Sequence, residues 1–251
     1  HQDYPRPRLT RRSWATLNGL WDYEIDASGS KAPVFGEAKL LVPFPLESQL
    51  SGVQGGLLNA DNYLWYRRRF TLPAAWRGQR VLLHFGAVDW DASVRLNGTE
   101  VVTHQGGYDS FSADITEQLA ADDEQELVVR VADPSDSGNQ PRGKQALVPS
   151  TGTSLSSVSG IWQSVWLEPV PVLSIQNVIF SGDPATGVVN VRPELSGKAD
   201  GTTLRAIVSD GGAEVARAES KDGAAFDVTL QSPIAWTPDE PHLYDVTLEL
   251  E

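Results

Sequence analysis

The sequence predicts an all-β protein of two consecutive sandwiches, and three observations carry that expectation. Sixteen prolines and 22 glycines cut the 251 residues into short apolar runs. No long stretch keeps a helical period. Hairpin signals stand between the runs, the clearest being Leu96-Asn97-Gly98-Thr99, where Asn-Gly supplies the two positive φ angles of a type I′ turn.

Expected strands in the first part are Trp65–Leu72, Arg80–Phe85, Ala92–Leu96, Glu100–His104, Glu126–Ala132 and Ser164–Pro169. Asn97-Gly98-Thr99 is also a glycosylation sequon, but a tight turn explains the same residues more simply. Asp114–Leu119 reads as one helical turn, with Asp114 as its cap and Glu117 three residues on. These elements fit a jelly-roll double sheet over residues 1–170. A second set follows at Ser174–Phe180, Val188–Pro193, Thr202–Val208, Glu214–Glu219, Phe226–Leu230 and Leu243–Leu250, with a hairpin signal at Asp210-Gly211-Gly212. Regular short strands of this kind fit an immunoglobulin-like sandwich over residues 171–251. Pro169 and Pro171 cannot donate to a sheet ladder, which places the linker there.

Charge and composition exclude several function classes. Thirty-three acids against twenty bases leave −13, which repels phosphate backbones and argues against a nucleic-acid partner. No apolar run is long enough for a membrane span. Without cysteine there are no disulfides or thiolate metal sites, and the four histidines lack ligand spacing, so neither metal nor cofactor is expected. The polar start HQDYPRPRLTRRSW lacks the apolar core of a signal peptide, which leans toward the cytoplasm. The absence of any methionine leaves room for an upstream leader, so secretion stays open.

Tryptophan draws attention, because aromatic faces stack on sugars as well as filling cores. Trp21, Trp166 and Trp236 sit in apolar contexts and read as core. Trp90 and Tyr108 are candidates for exposed aromatics. Arg67-Arg68-Arg69 read as cations pairing with the many acids, and Asp89-Trp90-Asp91 as structural hydrogen bonding.

A series of phrases follows in order: Tyr4-Pro5-Arg6-Pro7, Trp14-Ala15-Thr16-Leu17-Asn18-Gly19-Leu20-Trp21, Val42-Pro43-Phe44-Pro45-Leu46-Glu47-Ser48, Trp65-Tyr66-Arg67-Arg68 and His84-Phe85-Gly86-Ala87-Val88-Asp89-Trp90. Later come Leu96-Asn97-Gly98, His104-Gln105-Gly106-Gly107-Tyr108, Gly160-Ile161-Trp162-Gln163-Ser164-Val165-Trp166-Leu167-Glu168 and Trp236-Thr237-Pro238-Asp239-Glu240-Pro241-His242-Leu243-Tyr244. Together they resemble the N-terminal part of glycoside hydrolase family 2 over nearly the whole chain. The resemblance implies a sugar-binding, galactose-binding-like jelly roll, an immunoglobulin-like domain, and then a TIM barrel with two catalytic glutamates. A barrel takes about 250 residues, and the strands of the first two domains already use this chain. The expectation is therefore a non-catalytic portion of a retaining β-glycosidase, with carbohydrate and the catalytic barrel of the same parent chain as partners. No catalytic residue maps onto it.

In β-galactosidase-like and β-glucuronidase-like members, the resemblance places a sugar-contacting aspartate six residues before the Gly-Ile phrase. Here that position is Ser154, which points away from those two specificities. The stretch Asp133–Gln145 resembles another subgroup. It is a long polar loop, of the kind that carries function in compact domains. Asp136 offers a hydroxyl acceptor; Arg142, Lys144 and Gln145 offer donors. The competing readings are docking of this loop on the barrel, and a free-standing carbohydrate-binding module or lectin. The second domain reads as a structural spacer, expected to expose apolar residues toward a barrel.

Overall fold

A computed structural model describes residues 3–120, 124–148 and 152–251. The chain separates into two compact units, His1–Pro169 and Val170–Glu251. Both are β-sandwiches. Among the described residues there is no α-helix, and only three short 3-10 turns interrupt the strands.

The first unit is a jelly roll of two antiparallel sheets. The larger runs Lys39–Val42, Gly19–Asp26, Tyr63–Thr71, Glu124–Ala132, Asp91–Leu96, Thr99–Gln105 from edge to edge. The smaller runs Ala15–Thr16, Val165–Val170, Arg80–Phe85, Phe111–Asp114. The strand expected at Glu126–Ala132 runs Glu124–Ala132 and alternates: Gln125, Leu127, Val129 and Val131 are buried, and their neighbours are not. Leu127, Val129 and Val131 join Trp21, Leu64, Tyr66, Leu83, Phe85 and Val94 in the core. The arginines after Trp65-Tyr66 find acceptors. Arg67 donates to Asp22 (2.8 Å), Arg68 to the Leu20 carbonyl (2.6 Å) and Arg69 to Glu126 (3.2 Å).

Turn chemistry fixes the register. Asn97 and Gly98 have φ of 51° and 85°, closing Leu96 on Thr99. The Asn97 amide nitrogen donates to the Gln118 carbonyl and to Gln125 Oε1, both at 2.8 Å. The turn after Asp114 is the 3-10 helix Thr116–Gln118, and Asp114 Oδ1 accepts the Thr116 N–H at 3.1 Å.

The second unit packs two three-stranded sheets. One joins Ile175–Asp183, Val188–Leu195 and Phe226–Thr229; the other joins Ala213–Lys221, Thr203–Asp210 and Asp245–Leu250. Gly211 and Gly212, at φ of 55° and 87°, make the hairpin turn between Asp210 and Ala213. Its core is small: Val191, Ala206, Val208, Val228 and Leu230.

One core expectation fails here. Trp21 and Trp166 are buried, but Trp236 is 58% exposed. Pro233, Pro238 and Pro241 keep its stretch out of any strand, so no ladder carries the indole inward. Tyr244 packs on the core instead, and its hydroxyl accepts the Ile234 N–H at 2.8 Å. The surface of this unit is not uniformly polar: Val172, Ile234, Trp236 and Leu243 are all exposed.

Candidate functional site

Beyond the end of the strand Glu124–Ala132, the chain leaves the sheet into a long loop. Asp133 anchors its start. The Asp133 carboxylate accepts the Ser135 N–H (2.8 Å) and the Ser159 hydroxyl (2.6 Å), and Ser135 turns the chain at φ 47°. Asp136 accepts the Leu147 N–H at 3.0 Å, tying the outgoing limb to the returning one. A turn from Arg142 to Gln145 (3.1 Å between carbonyl and N–H) centres on Gly143, at φ 59°. Gln145–Ala146 then pairs with Leu155–Ser156.

The sequence-predicted residues divide by task. Both ends of the Gln145 amide are occupied: Nε2 donates to Asp89 Oδ2 (3.0 Å) and Oε1 accepts the Val158 N–H (2.6 Å). Asp136 is half-buried and bound to the loop backbone. Arg142 is half-buried and Lys144 exposed, and no ion pair is recorded for either among the described residues. A side chain added at Gly143 would lie 3.7 Å from the Tyr108 hydroxyl, so this turn sits against Tyr108. Tyr108 is 54% exposed and meets Trp162 edge-on at 6.3 Å. Trp162 is fixed by its indole N–H, which donates to the Gly107 carbonyl at 2.7 Å. Trp90, the other aromatic candidate, is half-buried. The outcome is a polar loop with two cations, laid against an aromatic corner.

Beneath the loop lie three carboxylates that sequence reasoning did not bring together: Glu47, Asp89 and Asp133. Asp89 is 3% exposed and occupies the two-residue strand Val88–Asp89, which pairs with Gly160–Ile161. Glu47 accepts the Ser159 N–H at 2.9 Å, and its other oxygen is buried without a hydrogen-bond partner. Burial pushes the Asp89 carboxyl up to about 6; the Gln145 bond opposes this, and the charges of Asp133 and Glu47 add to it. Burial likewise raises Glu47, against the Ser159 bond and with the charge of Asp133.

Two glycines of the sequence phrases make this arrangement possible. A Cβ on Gly107 would stand 2.6 Å from Asp89 Oδ1. At Gly160, φ is +88° and a Cβ would fall 2.0 Å from the Tyr66 hydroxyl, which accepts the Ile161 N–H at 3.2 Å. Those glycines were the available signal for a tightly packed polar centre.

A second buried carboxylate has the opposite surroundings. Glu168 is fully buried and accepts from Tyr4, from Arg11 Nε (2.8 Å) and from the Trp166 indole (2.9 Å). His84 Nε2 lies 3.3 Å away and Arg6 3.6 Å. Burial alone would raise Glu168, but the close His84 imidazole and the hydrogen bond from Tyr4 outweigh it and hold the carboxyl well below its usual range. Burial and this carboxylate push the Tyr4 hydroxyl up to about 12.

Residues 57–159 match the model described as the glycosyl hydrolase 2 galactose-binding domain-like family, and residues 180–251 match that of glycosyl hydrolases family 2. Together the two stretches take in more than two thirds of the chain. The chain belongs to glycoside hydrolase family 2. Among family 2 relatives, a β-galactosidase of Thermoanaerobacter pseudethanolicus is 26% identical, over 74% of this chain and 26% of its own length. A β-glucuronidase of Paenibacillus borealis is 24% identical, over 98% of this chain and 44% of its own. The solved β-glucuronidase of Ruminococcus gnavus, in complex with C6-substituted uronic isofagomine, superposes with a TM-score of 0.75 at 21% identity. That match covers 98% of this chain and 43% of the other. The chain thus spans less than half the length of these family 2 relatives.

Proposed function

We propose that the chain supplies carbohydrate recognition and domain positioning to a larger family 2 β-glycosidase, whose hydrolytic chemistry resides in a catalytic barrel outside these two domains. The observation that carries the reading is the Asp133–Gln145 loop, set on a galactose-binding-like domain beside Tyr108 and Trp162. Arg142 and Lys144 present donors for sugar hydroxyls or ring oxygens, Asp136 an acceptor, and Tyr108 an apolar face for stacking. Gln145 acts from below by fixing the loop on Asp89. The immunoglobulin-like unit, whose long loop between Phe226–Thr229 and Asp245–Leu250 is broken by Pro233, Pro238 and Pro241, serves as the spacer.

Titration calorimetry of the full chain against a panel of mono- and oligosaccharides tests this. Heat of binding that disappears in Arg142→Ala supports it; silence at millimolar sugar across the panel rejects the recognition role. Turnover of a chromogenic β-glycoside by the purified chain, free of contaminating enzyme, would reject the assignment of chemistry to a separate barrel.

A further inference from the structure

Three neighbouring carboxylates, Asp89 and Asp133 buried and Glu47 half-buried, are each reached from a different part of the first unit. Glu47 follows the strand Lys39–Val42, Asp89 sits in Val88–Asp89, and Asp133 follows the strand Glu124–Ala132. The hydrogen-bonding and packing partners found for them are uncharged: the Gln145 amide on Asp89, Gly107 packed on the second Asp89 oxygen, Ser135 on Asp133, Ser159 between Glu47 and Asp133, and the Tyr66 phenol. Among the described residues no cation is recorded in ion-pair contact with any of the three. Asp91, two residues on, is engaged elsewhere, by Gln105 (2.6 Å) and Arg130 (3.7 Å).

We propose that this carboxylate cluster is a proton-linked latch for the Asp133–Gln145 loop: it holds the loop closed while it retains a proton and loosens it when the proton is lost. The geometry makes the coupling direct. Both ends of the loop are tied to the cluster, one through Asp133 itself and the other through Gln145, which also carries the Val158 N–H. Full ionisation places three neighbouring negative charges among partners that are neutral dipoles. Lifting the loop admits water and relieves that cost.

The direction follows from the position of Asp89, about 6 in the closed form against an ordinary 3.8. A raised carboxyl contributes stability at low pH that is lost as pH rises through the window between those values. The opening equilibrium should therefore grow about tenfold between pH 5 and pH 8. This inference assigns regulation to the loop already proposed to bind sugar, and it rests on that reading only for its consequence in binding.

Hydrogen exchange of the full chain is the test, read as protection of the Leu147, Val158 and Ser159 amides after correction for the intrinsic pH dependence of exchange. Protection should fall about tenfold from pH 5 to pH 8 in the wild type, and the response should vanish in Asp89→Asn. Amides of the strand Thr203–Asp210 serve as the internal control. Protection that is flat across this range, or that responds equally in Asp89→Asn, overturns the latch. Should Asp89→Asn fail to fold, Glu47→Gln decides: a diminished response supports the latch and an unchanged one overturns it. A normal exchange response with no sugar binding would sink the recognition role and leave the latch standing; the reverse pattern would do the opposite.

Discussion

Two buried carboxylate centres in the first unit obey opposite electrostatic rules. Glu168 lies among two arginines, a histidine, a tyrosine and an indole, and its charge is the organising element. Asp89 lies with Glu47 and Asp133 among neutral dipoles, and its charge is the liability. The first arrangement ties the segment carrying Tyr4, Arg6 and Arg11 onto the strand Val165–Val170. The second ties the Asp133–Gln145 loop to the domain through carboxylates that no cation neutralises among the described residues. Burial is common to both; what differs is whether cations or other acids complete the shell.

The largest effect that would break this contrast is removal of the Glu168 charge. Glu168→Gln replaces the carboxylate facing Arg6 and Arg11 by a neutral amide with a single acceptor oxygen and should cost about 3 kcal/mol. Tryptophan fluorescence in a urea titration reads this cleanly, because only Trp236 lies in the second unit. A loss below about 1 kcal/mol would show that the arginines are solvated well enough to need no carboxylate.

Next is Gly160→Ala, which places a methyl against the Tyr66 hydroxyl at a φ that alanine resists. The expected cost is about 2 kcal/mol, with loss of loop order, since the strand Gly160–Ile161 carries Asp89 as its neighbour. Thermal unfolding at neutral pH would measure it.

The contrast sharpens in pH dependence. Glu168, held low, contributes stability above its ordinary 4.5 that is lost as acid is added below it. Asp89, held high, costs stability as pH rises from about 4 to about 6. Asp89→Asn should therefore raise stability by about 1–2 kcal/mol at pH 8 and change it little at pH 4. Equal effects at both pH values would remove the distinction between the two centres.

The smallest effect separates contact from anchorage. Arg142→Ala should leave the stability within about 0.5 kcal/mol of wild type while removing sugar binding. A large loss of stability would make Arg142 part of the anchor.

Much of the fold was legible because it is written locally. Asn97-Gly98 and Gly211-Gly212 dictate their turns through φ, and the strands they join follow from apolar alternation. The strand Gly19–Asp26 was harder to see, since Leu20 is exposed on it and Asp22, Glu24 and Asp26 dilute its apolar pattern. Asp22 is there to receive Lys39 and Arg67, partners brought beside it only by the sheet. Trp236 misled because hydrophobicity says nothing of whether a ladder carries a residue inward. Asp136, Arg142, Lys144 and Gln145 stand on the loop that length and polarity single out. The triad of Glu47, Asp89 and Asp133 was not legible, because its members stand more than 40 residues apart and each, read alone, is an ordinary turn or strand-end acid. Only the close approaches at Gly107 and Gly160 hint that something polar is packed tightly there.

The most direct test of the recognition role is a two-dimensional NMR titration of the full chain with the sugars that give heat by calorimetry. The account predicts shifts concentrated at the Trp162 indole N–H and at the backbone amides of Tyr108, Gly143 and Lys144, absent in Arg142→Ala. Shifts confined to the immunoglobulin-like unit, or spread evenly over the first unit without favouring these groups, would contradict it.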